Sequence, residues 1–61
     1  MTRPTPKILV PMAAGFEEIE AVTVIDVLRR ADLEVTVAGL GELTVRGARG
    51  VCVQADALLG D

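Results

Sequence analysis

The stretch KILVPMAAGFEEIEAVTVIDVLRRADLEVTVA, residues 7–38, carries the pattern of one strand, one helix and a second strand. Lys7 to Val10 is a continuous apolar run, and Leu33 to Ala38 (LEVTVA) is β-branched and mostly apolar, so both are predicted strands. Between them, GFEEIEAVTVIDVLRRA (15–31) carries apolar residues at helical spacing and predicts a helix of about four turns. Strand, long helix and strand make a βαβ unit, with parallel strands and a right-handed crossover. Parallel sheets need cover on both faces, and one helix covers only one. The expected fold class is α/β, with the opposite face of the sheet left bare.

Working outward, GLGELTVRGARGVCVQAD (39–56) has glycines at 39, 41, 47 and 50 around two short runs, Leu43 to Arg46 and Val51 to Val53. It reads as a β-hairpin or a pair of short strands. The tail from Ala55 to Asp61 is expected to form one helical turn, with Asp56 as its cap. MTRPTP at the start reads as a frayed lead into the first strand. No internal repeat, low-complexity segment or domain boundary is visible.

Half of the 61 residues are apolar, yet with one Phe and no Trp or Tyr the chain can bury only a small core. A lone cysteine forms no internal disulfide, and without histidine the usual metal sites are missing, so the remaining stability must come from elsewhere. The expectation is therefore the N-terminal part of a larger domain, completed by a second polypeptide segment. Nine acids against six scattered bases, without stacking aromatics, argue against a nucleic-acid partner. The apolar run Ile8 to Ala14, broken by Pro11, is too short to cross a membrane and lacks the shape of a signal peptide, which points to the cytoplasm.

On a helical wheel, Phe16, Val27, Glu20, Ala31 and Val24 share one arc, so Glu20 is expected to turn its carboxylate inward. An ionised carboxylate in an apolar setting finds a partner, holds a proton or does chemistry. Glu20 is thus the candidate catalytic acid, against the alternatives of a satisfied structural carboxylate or an imperfect wheel. Ile19 and Val22 interrupt the polar arc of Thr23, Asp26 and Arg30, as on a helix covered on two sides. Glu17 and Glu18 read as ordinary partners of the helix dipole. Asp26 and Arg30 are spaced to pair along the helix, and Arg29 reads as solvated. Gly15 suits the tight turn from strand to helix, while Arg46 and Arg49 flank the hairpin turn, as surface residues or as an anion-holding pair. Cys52, in the apolar run VCV, reads as buried and inert.

The words GFEEIEAV and DVLRRADLEVTVAGL, followed by VRGARGVCVQAD, closely resemble the start of the DJ-1/ThiJ/PfpI family in its DJ-1-like bacterial branch, from the first strand to about Asp56. The resemblance implies a flavodoxin-like α/β sandwich with a mainly parallel sheet, of which residues 1–61 form the N-terminal βαβ and hairpin portion. It further implies a homodimer and a reactive cysteine on a strand-to-helix elbow, carried outside these residues. Glu20 matches the third acid of the family's G-x-E-E-x-E motif, which bonds that cysteine as a protonated carboxylic acid. Gly15 matches the glycine opening the first helix, and Arg30 and Arg49 match arginines near the pocket and the dimer interface. The implied function is cofactor-free, metal-free glyoxalase or deglycase action on small reactive carbonyls such as methylglyoxal in a stress-response protein. A redox-sensing chaperone with an oxidised elbow cysteine is the alternative, and a PfpI-type intracellular protease or amidotransferase-like domain is a second.

Overall fold

The computed structural model describes residues 4–60. In chain order these form β1 (Lys7–Met12), α1 (Glu18–Arg30), β2 (Glu34–Gly39), β3 (Thr44–Arg46), β4 (Cys52–Gln54) and β5 (Ala57–Leu58). β1 and β2 pair in parallel, from Lys7 opposite Glu34 to Met12 opposite Gly39, and α1 connects them. This is the predicted βαβ unit, and the architecture is the flavodoxin-like α/β arrangement with a parallel sheet. β5 adds a third parallel strand on the far side of β2, giving the order β1-β2-β5. β3 and β4 form a separate antiparallel hairpin, Thr44 opposite Gln54 and Arg46 opposite Cys52.

β1 runs two residues beyond the predicted KILV, through Pro11 and Met12. As an edge strand it tolerates a residue without an N–H. Side chains alternate along both strands, so Val10 and Met12 of β1 and Val35 and Val37 of β2 meet one face of α1. Met12, Ile25, Val37, Val45 and Ala55 form the buried core, and Val10, Phe16, Ala21, Val35 and Val53 pack around it. Met12 and Val45 are the largest fully buried side chains, each 2% exposed, which ties the hairpin into the same core as the parallel strands. The opposite face is open along β1, where Leu9 is 54% exposed, and closes only towards Ala38 of β2, which is 2% exposed. The molecule is a slab of 44 × 27 × 11 Å, too thin for a helix layer on each side of the sheet.

α1 ends in a Schellman arrangement. The N–H of Asp32 reaches the Arg29 carbonyl at 3.1 Å and that of Leu33 the Leu28 carbonyl at 3.3 Å. Asp32 carries the left-handed backbone this requires, with φ 61°, at the position where glycine is usual.

The tail departs from expectation. Ala55–Gly60 forms no helical turn; Ala57 and Leu58 pair with Ala38 and Gly39 as a strand. Asp56 caps no helix. It completes the edge of β2 instead, its N–H donating to the Val37 carbonyl and its Oδ2 accepting from the Val37 N–H, both at 2.8 Å. The same Oδ2 receives Arg29 Nη2 at 3.1 Å, and that nitrogen also reaches the Val35 carbonyl at 3.2 Å. Arg29 is therefore a tie from the helix to the sheet rather than a solvated charge. Of the expected frayed lead, residues 1–3 lie outside the described residues, while the Pro6 carbonyl is engaged by the Glu34 N–H at 3.1 Å.

Candidate functional site

The first turn of α1 meets the hairpin turn, residues 47–51, and the meeting point is built by Glu18. Only 9% of this residue is exposed. Its Oε2 accepts the Arg49 N–H at 2.6 Å and the Val51 N–H at 3.3 Å. Oε1 is buried and has no hydrogen-bond partner among the described residues. Burial works to raise the pKa of this carboxyl. The backbone N–H groups of Glu18 itself, Arg49 and Val51, with the Arg49 charge, outweigh burial and hold it below its ordinary value. Glu18 is thus ionised at neutral pH. The reading of Glu18 as a simple partner of the helix dipole is corrected.

Two backbone bonds flank this carboxylate. Gly15 N–H donates to the Arg46 carbonyl at 2.8 Å, and Ala48 N–H donates to the Phe16 carbonyl at 2.8 Å. Gly15 has φ 87°, a conformation that L side chains rarely adopt, so a glycine is required where the chain leaves β1 for α1. Gly47 matters for a different reason: it leaves space rather than adopting a special backbone angle. A Cβ there would stand 2.6 Å from the Glu18 carboxyl carbon, so the carboxylate lies in the space that a side chain would fill.

Glu20 does not turn into the core. Its side chain is exposed, as are Val24 and Val27, at 50% and 56%, on the same arc. The buried and half-buried stripe is Glu18, Ala21, Ile25 and Leu28, one residue along the wheel from the arc expected. The cause is that α1 is apolar on three sides. Ile19 and Val22 form another exposed stripe, and a wheel cannot say which stripe meets the sheet. Glu20 instead borders an open groove of about 280 Å³, lined by Val10, Glu17, Glu20, Ala21 and Val24. Val10 belongs to β1, so the groove runs between the helix and the edge strand of the sheet.

Of the remaining candidates, Arg49 is joined to Glu18 through its backbone, while its side chain is exposed. Arg30 pairs with Asp26 at 3.1 Å, as its spacing predicts, on an exposed part of α1. Gly15 and Arg49 therefore share one corner of the fold, and Arg30 lies along the helix. Cys52 is exposed, not buried, because its hairpin presents alternate residues to solvent and Val53 to the core. Among the described residues no cluster of three metal-ligating side chains occurs, and no helix is long and apolar enough to cross a membrane. The residue that periodicity missed is Glu18. One signal pointed to it: a glycine-rich turn, Gly47 to Gly50, whose N–H groups need an acceptor.

The sequence profile of the DJ-1/PfpI family matches residues 6–61. Protein DJ-1 homolog B of Arabidopsis thaliana is 55% identical over 58 residues, which cover 93% of this chain and 13% of that protein. Among solved structures, oxidized DJ-1 of Toxoplasma gondii superposes with a TM-score of 0.85 at 56% identity, covering 88% of this chain and 30% of that one. DJ-1beta of Drosophila melanogaster gives 0.83 at 42% identity, covering 87% and 29%. The chain thus spans less than a third of the length of these relatives. With the βαβ unit, the hairpin and the sequence match in agreement over residues 6–61, the chain belongs to the DJ-1/PfpI family.

Proposed function

We propose that residues 1–61 are the N-terminal part of a single DJ-1/PfpI domain whose remaining segment carries a nucleophilic cysteine. The complete domain, a homodimer in the cytoplasm, acts on small reactive carbonyls such as methylglyoxal, as a stress-response glyoxalase or deglycase. The observation that carries this reading is the position of Glu20 on the groove beside the unpaired edge of β1. In doubly wound sheets of the flavodoxin type, the next strand joins at that edge, and the ligand site forms at the resulting switch point, beyond the carboxyl ends of the strands. A segment docking there would cover Val24 and Val27 and enclose Glu20 among apolar groups, which favours the protonated acid.

In this reading the elbow cysteine attacks as thiolate, its sulfur bonding to the aldehyde carbon, and Glu20 gives its proton to the oxygen that becomes negative. Arg49 and Arg30 support the pocket and the contact between protomers, Gly15 shapes the corner beside them, and neither metal nor cofactor takes part. The test is turnover of methylglyoxal by the full-length protein with Glu20→Gln and Glu20→Leu. Both are expected to be slower than wild type, and undiminished turnover by Glu20→Leu would remove the argument.

A second reading, a redox-responsive chaperone, is favoured by one finding: the Toxoplasma gondii relative was solved in an oxidized form. Mild peroxide converts a thiolate to a sulfinate, which Glu20 would stabilise by donating its proton in a hydrogen bond. Mass analysis of the full-length protein after peroxide separates the two readings. An elbow cysteine that stays unoxidised counts against sensing.

A further inference from the structure

The hairpin turn that bears Arg49 has few means of holding its place. Its internal bonds, Gly47 N–H to the Val51 carbonyl at 2.8 Å and Gly50 N–H to the Gly47 carbonyl at 3.1 Å, shape the turn without fixing it to the helix. Attachment comes from the Gly15–Arg46 and Phe16–Ala48 backbone bonds and from one side chain, Glu18. That side chain takes the shortest bond of the group, 2.6 Å, from the backbone of Arg49 itself. Two residues on, within the same turn of α1, stands Glu20.

We infer that Glu18 is a positioning residue: its carboxylate fixes the Arg49 turn against the first turn of α1 and so sets Arg49 relative to Glu20. The role rests on the site reading above, in which Arg49 and Glu20 serve one pocket. Three features go beyond ordinary packing. Two N–H donors converge on a single oxygen, an arrangement suited to an acceptor-only carboxylate. The chain also gives up a side chain at Gly47 to make room for it. A buried carboxylate with one oxygen unpartnered among the described residues is a costly peg where a smaller capping residue would satisfy one of these N–H groups.

The test uses the full-length protein with Glu18→Gln, Arg49→Ala, the double variant, and Arg29→Ala as a control that weakens a tie elsewhere in the fold. Hydrogen exchange at the Arg49 and Val51 amides is expected to quicken by about fivefold in Glu18→Gln, whose neutral amide oxygen accepts more weakly than the carboxylate, and to stay unchanged in Arg29→Ala. With methylglyoxal, Glu18→Gln is expected to move the same parameter, kcat or KM, as Arg49→Ala does. The double variant then loses no more than about twofold beyond the worse single variant, because both act through one group. Arg29→Ala moves neither parameter, although it too lowers stability. Should Glu18→Gln fail to fold, Gly47→Ala displaces the carboxylate without removing it and is expected to give the same pattern.

Independent, multiplying losses in the double variant would overturn the inference, as would unchanged exchange at the two amides. If the wild-type protein does not consume methylglyoxal, the proposed reaction fails. Exchange then decides the inference alone: faster exchange at Arg49 and Val51 upholds Glu18 as the group that holds the turn, and unchanged exchange overturns it.

Discussion

Asp56 and Arg29 allow a direct comparison of two interactions that share one oxygen. Asp56 Oδ2 accepts the Val37 N–H at 2.8 Å and the Arg29 guanidinium at 3.1 Å. The ion pair is half exposed, with side chains 50% and 49% accessible, so it contributes only about 0.2–1 kcal/mol. The Val37 N–H belongs to a buried residue of the central strand. Leaving it without an acceptor costs about 1–3 kcal/mol. Asp56→Ala removes both interactions, and its expected loss is about 1–4 kcal/mol. Asp56→Asn keeps a carbonyl oxygen for the Val37 N–H and loses the charge, so it is expected to cost under about 1 kcal/mol, close to the value for Arg29→Ala. Urea unfolding of the full-length protein measures all three. If Asp56→Asn is as damaging as Asp56→Ala, the ion pair outweighs the backbone bond and the reasoning is wrong.

The Glu18 carboxyl has a lowered pKa in the folded protein, so its contribution to stability is complete above the ordinary glutamate pKa and is lost as pH falls through the folded value. As pH falls below the ordinary glutamate range, urea midpoints of wild type should therefore drop more steeply than those of Glu18→Gln, and parallel curves would contradict the assignment. Gly47→Ala should destabilise wild type through its collision with Glu18, yet cost much less when Glu18→Ala has already vacated the space, as a cycle of thermal melts would show. Asp32→Gly should raise stability by about 0.5–1 kcal/mol by relieving the left-handed backbone at the end of α1, and an unchanged urea midpoint would refute it.

The βαβ unit was legible because two short apolar, β-branched runs flank a longer stretch with apolar residues at helical spacing, and Gly15 marks the turn from strand to helix. The hairpin was legible from glycines spaced around short β-branched runs. What the pattern hid lies in contacts between distant residues. Glu18 and Arg49 are 31 positions apart, and Arg29 and Asp56 are 27 apart, so no local spacing announces either tie. A helix apolar on three sides gives several equally good wheels, which is why the arc with Glu20 was turned inward and the stripe with Glu18 was not. Cys52 shows the same limit in a strand: in VCV, three apolar residues conceal an alternation that only the packing of Val53 resolves.

If Glu20 is the protonated partner of a cysteine in the complete domain, that cysteine's own titration reports it. In the full-length protein with Cys52→Ser, which removes the exposed thiol of these residues, the rate of alkylation by iodoacetamide is followed against pH for wild-type Glu20 and for Glu20→Leu. A carboxylic acid donating to the thiolate lowers the thiol pKa. Glu20→Leu is expected to shift the reactive cysteine's curve to higher pH, and superimposable curves would rule out a proton-donating Glu20.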